Sequence, residues 1–120
     1  MPVQRPATLR HRASLYAEAL AIIEAEYASE LSLDDIARRI ATSRRQLQRA
    51  FAEVGDTTFR EAVAVVRMRK AAELLQDRRL TVGQVAHRVG YRQQAQFAKA
   101  FRRRHGSAPG EYRRGVAAAG

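Results

Sequence analysis

The sequence predicts an all-α chain built from two helix-turn-helix units joined by a long helix. Three observations predict it: an internal repeat, a series of hydroxyl-led capping signals ahead of stripes of helical period, and a length of 120 residues. That length fits one domain or two very small ones. It is too short for a TIM barrel or a doubly wound dinucleotide fold. The repeat lays Leu31-Ser-Leu-Asp-Asp-Ile-Ala-Arg-Arg-Ile-Ala41 over Leu80-Thr-Val-Gly-Gln-Val-Ala-His-Arg-Val-Gly90 without gaps, at an offset of 49. After one inserted residue it resumes at an offset of 50, with Leu47, Ala50 and Phe51 over Phe97, Ala100 and Phe101. Each copy reads as a short amphipathic helix, a tight break and a second amphipathic helix.

Taken in order, residues 1–12 read as a flexible arm. A helix is expected from Ser14 to Tyr27, burying Leu15, Ala19, Ile22, Ile23 and Tyr27. The first unit spans 31–55. Ser32 with Asp35 has capping-box spacing, in which a hydroxyl accepts the third helical N–H while an acid or amide side chain reaches back. Ile36, Ala37 and Ile40 form the buried stripe. Ser43 with Gln46 opens the second helix, whose Leu47, Ala50, Phe51 and Val54 recur at i, i+3, i+4 and i+7. Thr58 with Glu61 opens the linker helix, 58–76, with Phe59, Val63, Val66, Leu74 and Leu75 as core. About 18 residues at ~1.5 Å rise give a rod of ~27 Å, near the ~34 Å between successive major grooves on one face of DNA. The second unit, 80–105, opens on Thr81 with Gln84, buries Val85, Ala86 and Val89, and turns inward Phe97, Ala100 and Phe101. Gly90 suits the left-handed position that ends a helix. Ala41 stands at the equivalent place and adopts that geometry less readily, so the first turn is expected to differ in shape from the second. Gly55 and Gly106 are expected to close the second helix of each unit. Pro109 to Arg114 reads as one short turn with Tyr112 folded inward, and 115–120 as a frayed tail.

The charge is strongly basic and unevenly spread. Lys+Arg number 22 against 12 Asp+Glu, a formal net charge of +10. Residues 1–30 carry three Arg against four Glu, whereas 78–120 carry ten basic residues against Glu111 alone. Charge of one sign on a small domain is relieved by a polyanion, and twenty of the 22 cations are Arg, suited to forked contacts with phosphate and guanine. With no Cys and only His11, His87 and His105, the chain offers no disulfide, thiolate site or paired-histidine metal site, and no cofactor is expected. No apolar run approaches a membrane span, and the start lacks the apolar core of a secretory signal, so a cytoplasmic location is expected. Asp34 and Asp35 are adjacent and diverge on a helix, so they form no acid/base couple, and no constellation points to an enzyme. His87 is expected as an exposed helix residue, Tyr91 and Tyr112 as core or turn anchors.

The face opposite each core carries the candidate site. At ~100° per residue, Arg45, Gln48, Arg49 and Ala52 lie opposite Leu47, Ala50 and Phe51. In the second unit Ala95, Ala98, Lys99 and Arg102 lie opposite Phe97 and Phe101. Arg can fork onto guanine O6 and N7, and Gln onto adenine N6 and N7. Arg45 or Arg49 is therefore expected to read guanine, with Gln48 at a neighbouring base. Lys99, a point charge, suits phosphate. Arg102, Arg103 and Arg104 trail the second helix and are expected at the backbone, with simple solvation as the alternative for Arg103, and Arg44 is expected at the backbone too. Arg38, Arg39 and Arg88 lie on the supporting helices, where they meet either phosphate or, for the first two, Asp34 and Asp35.

The ordered set Leu31, Ala37, Ile40, Ser43, Leu47, Gln48, Arg49, Phe51, then Phe59, Arg67, Ala71, Leu74 and Leu75, then Val85-Ala-His-Arg-Val-Gly-Tyr91, Phe97, Phe101, Gly106 and Pro109-Gly-Glu-Tyr-Arg113 resembles the DNA-binding domain of the AraC/XylS family of bacterial transcription regulators. The resemblance covers about 13–114. It implies about seven helices, with the second helix of each unit in one of two adjacent major grooves. It places base contacts at Arg45, Gln48 and Arg49, and at Gln94, Ala95, Ala98 and Lys99. Phosphate contacts are expected at Arg44, Arg102, Arg103 and Arg38. Ala95 stands where the family has Ser, Ala108 where Ser or Thr precedes Pro, and Ala41 where Gly is commoner. The first unit is accordingly the stronger candidate for sequence reading. The function implied is sequence-specific binding of double-stranded promoter DNA by a transcription regulator, an activator that touches RNA polymerase. No membrane partner and no small-molecule ligand are expected in this chain, which is either a stand-alone regulator or the C-terminal part of a longer one. The alternatives are a basic helical module binding RNA or DNA nonspecifically, marked by a salt slope without sequence preference, and an adaptor for an acidic protein.

Overall fold

The computed structural model describes residues 6–119, and among these it contains seven α-helices and no strand. They are α1 (Pro6–Glu26), α2 (Leu33–Arg39), α3 (Arg44–Gly55), α4 (Phe59–Leu74), α5 (Val82–Arg88), α6 (Gln94–His105) and α7 (Pro109–Ala119). The chain falls into two compact units, Met1–Val63 and Ala64–Gly120, the division lying inside α4.

Local capping chemistry sets most helix starts. The Ser32, Ser43 and Thr58 hydroxyls accept the N–H groups of Asp35, Gln46 and Glu61 at 3.0, 3.1 and 3.1 Å. Thr81 makes the reciprocal box: its hydroxyl accepts the Gln84 N–H at 3.0 Å while Gln84 Oε1 accepts the Thr81 N–H at 2.8 Å. Each satisfies donors that the first helical turn leaves without a partner. At α6 the N-cap is Gln93, with no side-chain cap.

In the first unit α1 and α3 pack along Leu15, Ala19 and Ile23 against Leu47, Ala50 and Phe51, with Ile36 and Ala37 of α2 also buried. Tyr16 meets the Phe51 ring edge-on at 5.2 Å, and Phe59 does so at 6.1 Å. The segment expected as a flexible arm is helical from Pro6 onward, and residues 1–5 of that arm lie outside the described residues. Proline at the first helical position is itself a start signal. Arg12, inside that segment, is buried (7% exposed) and pairs through Nη1 with Glu53 of α3. It continues the stripe of Leu15, Ala19 and Ile23, which a polar side chain conceals from a hydrophobic reading. Ile40 and Tyr27 are only half-buried and Val54 is 40% exposed, so the core is narrower than the periodicity predicts.

The two turns use the same hydrogen bonds. Ala41 and Thr42 donate to the carbonyls of Arg38 and Ala37 at 3.2 and 2.8 Å, while Gly90 and Tyr91 donate to those of His87 and Ala86 at 3.1 and 3.0 Å. Ala41 takes φ +57° where Gly90 takes +98°. The expectation of a different first turn is corrected: closing the bonds to α2 forces the left-handed conformation whatever residue stands there. An L-residue there costs about 1–2 kcal/mol, against roughly 0.5–1 kcal/mol for the extra chain entropy of Gly. Ala41→Gly is therefore expected to stabilise the first unit by about 0.5–1 kcal/mol, read as a higher urea midpoint. A lower midpoint would mean the strain is absent. A second correction concerns Gly55, which is helical: Asp56, at φ +49°, is the left-handed C-cap. A Cβ on Gly55 would lie 2.4 Å from the Tyr16 ring, so this glycine provides close approach rather than a turn. Gly106, at φ +79°, ends α6 as expected.

In the second unit Met68, Ala71 and Leu75 join Val85, Ala86, Val89, Phe97 and Phe101 in the core, with Leu74 half-buried. Tyr112 meets Phe101 edge-on at 5.2 Å and Tyr91 meets Phe97 at 5.7 Å, both as anchors. The closing segment is longer than a single turn: α7 runs to Ala119, so the expected frayed tail is helical over 115–119, and Gly120 lies outside the described residues. Arg113 Nε donates to the Leu75 carbonyl at 2.9 Å, satisfying an acceptor just past the C-terminus of α4 with a cation that the helix dipole favours there.

Candidate nucleic-acid interface

α3 is positioned by its Ser43 cap and by the burial of Leu47, Ala50 and Phe51. That burial fixes its rotation and turns Arg45, Gln48 and Arg49 outward, all three exposed and, among the described residues, without an ion-pair or hydrogen-bond partner. Arg45 and Arg49 are one turn apart, and like charges at that spacing repel by a few tenths of a kcal/mol. An anion or an electronegative base edge between them removes that repulsion.

The arginines around this face behave differently. Arg44 Nη1 lies 3.0 Å from Asp34 Oδ2, and Arg38 Nη2 lies 2.8 Å from Asp35 Oδ1. Arg39 forks onto Glu26 at 2.5 and 2.9 Å and reaches Asp35 at 3.7 Å. The Arg39 hydrogen bonds hold the Glu26 carboxyl below its usual range, while Glu26 raises the Arg39 guanidinium. These pairs are solvent-exposed, a class worth about 0–1 kcal/mol, so a phosphate competes with the carboxylates on near-equal terms. Within the molecule Arg38 takes the expected Asp35 partner, whereas Arg39 is held mainly by Glu26, a partner that the sequence reading did not name.

α6 presents Gln94, Ala95, Lys99, Arg102 and Arg103 to solvent, with Lys99 and Arg103 unpaired among the described residues. Ala98 is half-buried and does not stand fully outward as its helical angle suggests. Arg102 approaches Glu111 only at 3.8 Å. Gln94 folds over Gly83 of α5, where an added Cβ would lie 2.9 Å from its Oε1. Glycine at 83 therefore seats Gln94, a role that periodicity gives no means of finding. Gln96, also exposed in the first turn, adds a polar side chain that neither the helical wheel nor the resemblance selects. The last turn holds Arg102, Arg103, Arg104 and His105, cations where the helix dipole favours them. His87 is exposed. In the loop before α5, hydrogen bonds from the Arg79 side chain and backbone lower the Asp77 carboxyl to about 2. The stabilisation from that contact is fully present above the ordinary aspartate range, declines below it and is gone once pH has fallen through about 2. No cluster of His, Asp or Glu among the described residues could hold a metal, and none of their helices is long and apolar enough to cross a membrane.

Residues 36–115 match the family profile of a helix-turn-helix domain. The chain is 33% identical over 102 residues to the HTH-type transcriptional activator AarP of Providencia stuartii, covering 85% of this chain and 76% of that protein. A transcriptional regulator from Chromobacterium violaceum, described as of the AraC-type DNA-binding-domain class, matches with a TM-score of 0.80 at 29% identity, over 87% of this chain and 93% of that one. The chain belongs to the AraC family. An AraC-type domain is a regulator's DNA-binding module and not an enzyme. The DNA-binding domain of AdpA, a global transcriptional factor solved in complex with a target DNA, matches at a TM-score of 0.74 and 28% identity, over 90% of this chain and 94% of that one. The chain spans about a third or less of the length of other curated relatives that it matches, 34%, 32% and 23% of three of them.

Proposed function

We propose that this AraC-type chain reads double-stranded promoter DNA, with α3 and α6 entering adjacent major grooves. The observation that carries the reading is the exposed, unpaired trio Arg45, Gln48 and Arg49, opposite a fully buried stripe on a capped helix. Arg45 or Arg49 forks onto guanine, and Gln48 contacts a neighbouring base. From α6, Gln94 and Lys99 supply polar contacts, and Ala95 and Ala98 offer methyl groups to thymine. Arg44, Arg38, Arg102 and Arg103 meet phosphates, the first two by leaving their carboxylates. AdpA, solved on its target DNA, supports duplex binding, and AarP, named an activator, supports activation, here through contact with RNA polymerase. Work on promoter DNA would take place in the cytoplasm.

Selection from a random duplex pool tests the reading. A defined sequence should be enriched, and a pool that stays random after several rounds would leave only nonspecific binding. Lys99→Ala, which removes a point charge, should weaken selected and random duplexes alike and lower the salt slope by about one. A change in the preferred sequence instead would move Lys99 from phosphate to base.

A further inference from the structure

The boundary between the two compact units is also a boundary of charge. Residues 1–63 carry nine basic against nine acidic side chains and are formally neutral, whereas 64–120 carry thirteen against three and hold the whole +10. Neutrality in the first unit is organised as pairs: Arg12 with Glu53, Arg38 with Asp35, Arg39 with Glu26 and Arg44 with Asp34. On α3 this leaves Arg45 and Arg49 as the cations without a carboxylate among the described residues. The internal repeat makes the contrast pointed. The places of Asp34, Asp35, Arg38 and Arg44 are taken in the second unit by Gly83, Gln84, His87 and Gln94. There the contact between the two helices is Gln94 lying over Gly83, with no formal charge in it, while Lys99, Arg102 and Arg103 stand exposed.

Counterion release scales with the number of phosphates that unneutralised cations can meet. A cation that keeps a carboxylate a few ångströms away contributes little to that count. We infer that the two units divide the work of binding: 64–120 holds the polyanion and sets the salt dependence, while 1–63 selects the sequence, with Asp34 and Asp35 as built-in counterions that Arg44 and Arg38 leave for phosphate only where base contacts hold α3 in place. This rests on the reading that the chain binds duplex DNA, and it names Asp34 as a determinant of specificity that touches no base. At a selected site the base contacts already seat Arg44 on its phosphate, so freeing it from Asp34 raises random affinity more than selected affinity.

The test uses the full chain, a selected duplex and a random duplex, with affinities measured from low to physiological salt. Asp34→Asn should strengthen random binding, steepen its salt slope by about 0.9 and lower the ratio of selected to random affinity. Asp34 is exposed, so the variant keeps its fold, as far-ultraviolet circular dichroism will check. Asp34→Asn combined with Arg44→Ala should return the slope to its starting value, which a general loosening of the unit would not do. Replacing Lys99 and Arg103 together with Ala should flatten the slope by about two on both duplexes. An unchanged slope in Asp34→Asn, or in the Lys99/Arg103 variant, overturns the division. A wild-type ratio of one between the duplexes overturns the sequence-reading proposal instead, because that ratio is read before any substitution is made.

Discussion

Arg49→Ala is expected to lower the ratio of selected to random-duplex affinity by roughly 5- to 150-fold, the equivalent of about 1–3 kcal/mol for one forked base contact. The expectation follows from where α3 places the residue. Arg49 is exposed, has no partner among the described residues and sits one turn from Arg45. No internal contact is lost with the side chain, and Ala is the strongest helix former, so the fold should be untouched. Arg49→Lys sharpens the test by keeping the charge and removing the fork. It should retain random affinity and lose preference. Competition assays in which both variants keep the wild-type ratio would remove Arg49 from the reading face and leave Arg45 and Gln48 to carry it.

The largest effect on stability is expected at Glu53, a residue that any surface rule would consider replaceable. Its side chain is 36% exposed, but the side chain of its partner Arg12 is only 9% exposed and has a buried Nε with no hydrogen bond among the described residues. Glu53→Ala leaves the guanidinium buried without its carboxylate, and removing one partner of such a pair costs about 3 kcal/mol. Arg12→Leu, by contrast, removes the charge from the interior and leaves Glu53 near water. It should cost less than about 1 kcal/mol, since apolar replacement of a buried ion is often harmless. The double variant should recover most of the loss seen in Glu53→Ala. Hydrogen exchange of the α1 and α3 amides, with a urea titration, gives the measurement. A Glu53→Ala loss below that of Arg12→Leu would show that the pair is not what holds these helices.

The legibility of the chain follows the range of the interactions. Ser32, Ser43, Thr58 and Thr81 could be assigned because the amide each one caps lies three residues away. Gly106 was legible for the same reason. Arg12 was not, because its partner lies 41 residues along the chain. Nor was the seat of Arg113, whose acceptor lies 38 residues back. Gly55 was recognised as special for the wrong reason: its neighbour in space is Tyr16, and the left-handed residue is Asp56. The candidate site was more legible than the core's edges. The outward position of Arg45, Gln48 and Arg49 follows from the buried positions of Leu47, Ala50 and Phe51, whereas the half-burial of Ala98 and Ile40 depends on neighbours the sequence does not name.

By itself, then, the sequence determined where α2 to α5 begin, which stripe each of these helices buries and which residues are left for solvent or DNA, since all three rest on contacts within one or two helical turns. Tertiary structure decided that the outward Arg39 and Arg44 are already held by Glu26 and Asp34, and that a charged side chain can belong to the interior. Those outcomes depend on atoms brought together only when the helices pack, where a partner a few ångströms away outweighs the intrinsic preference of the residue.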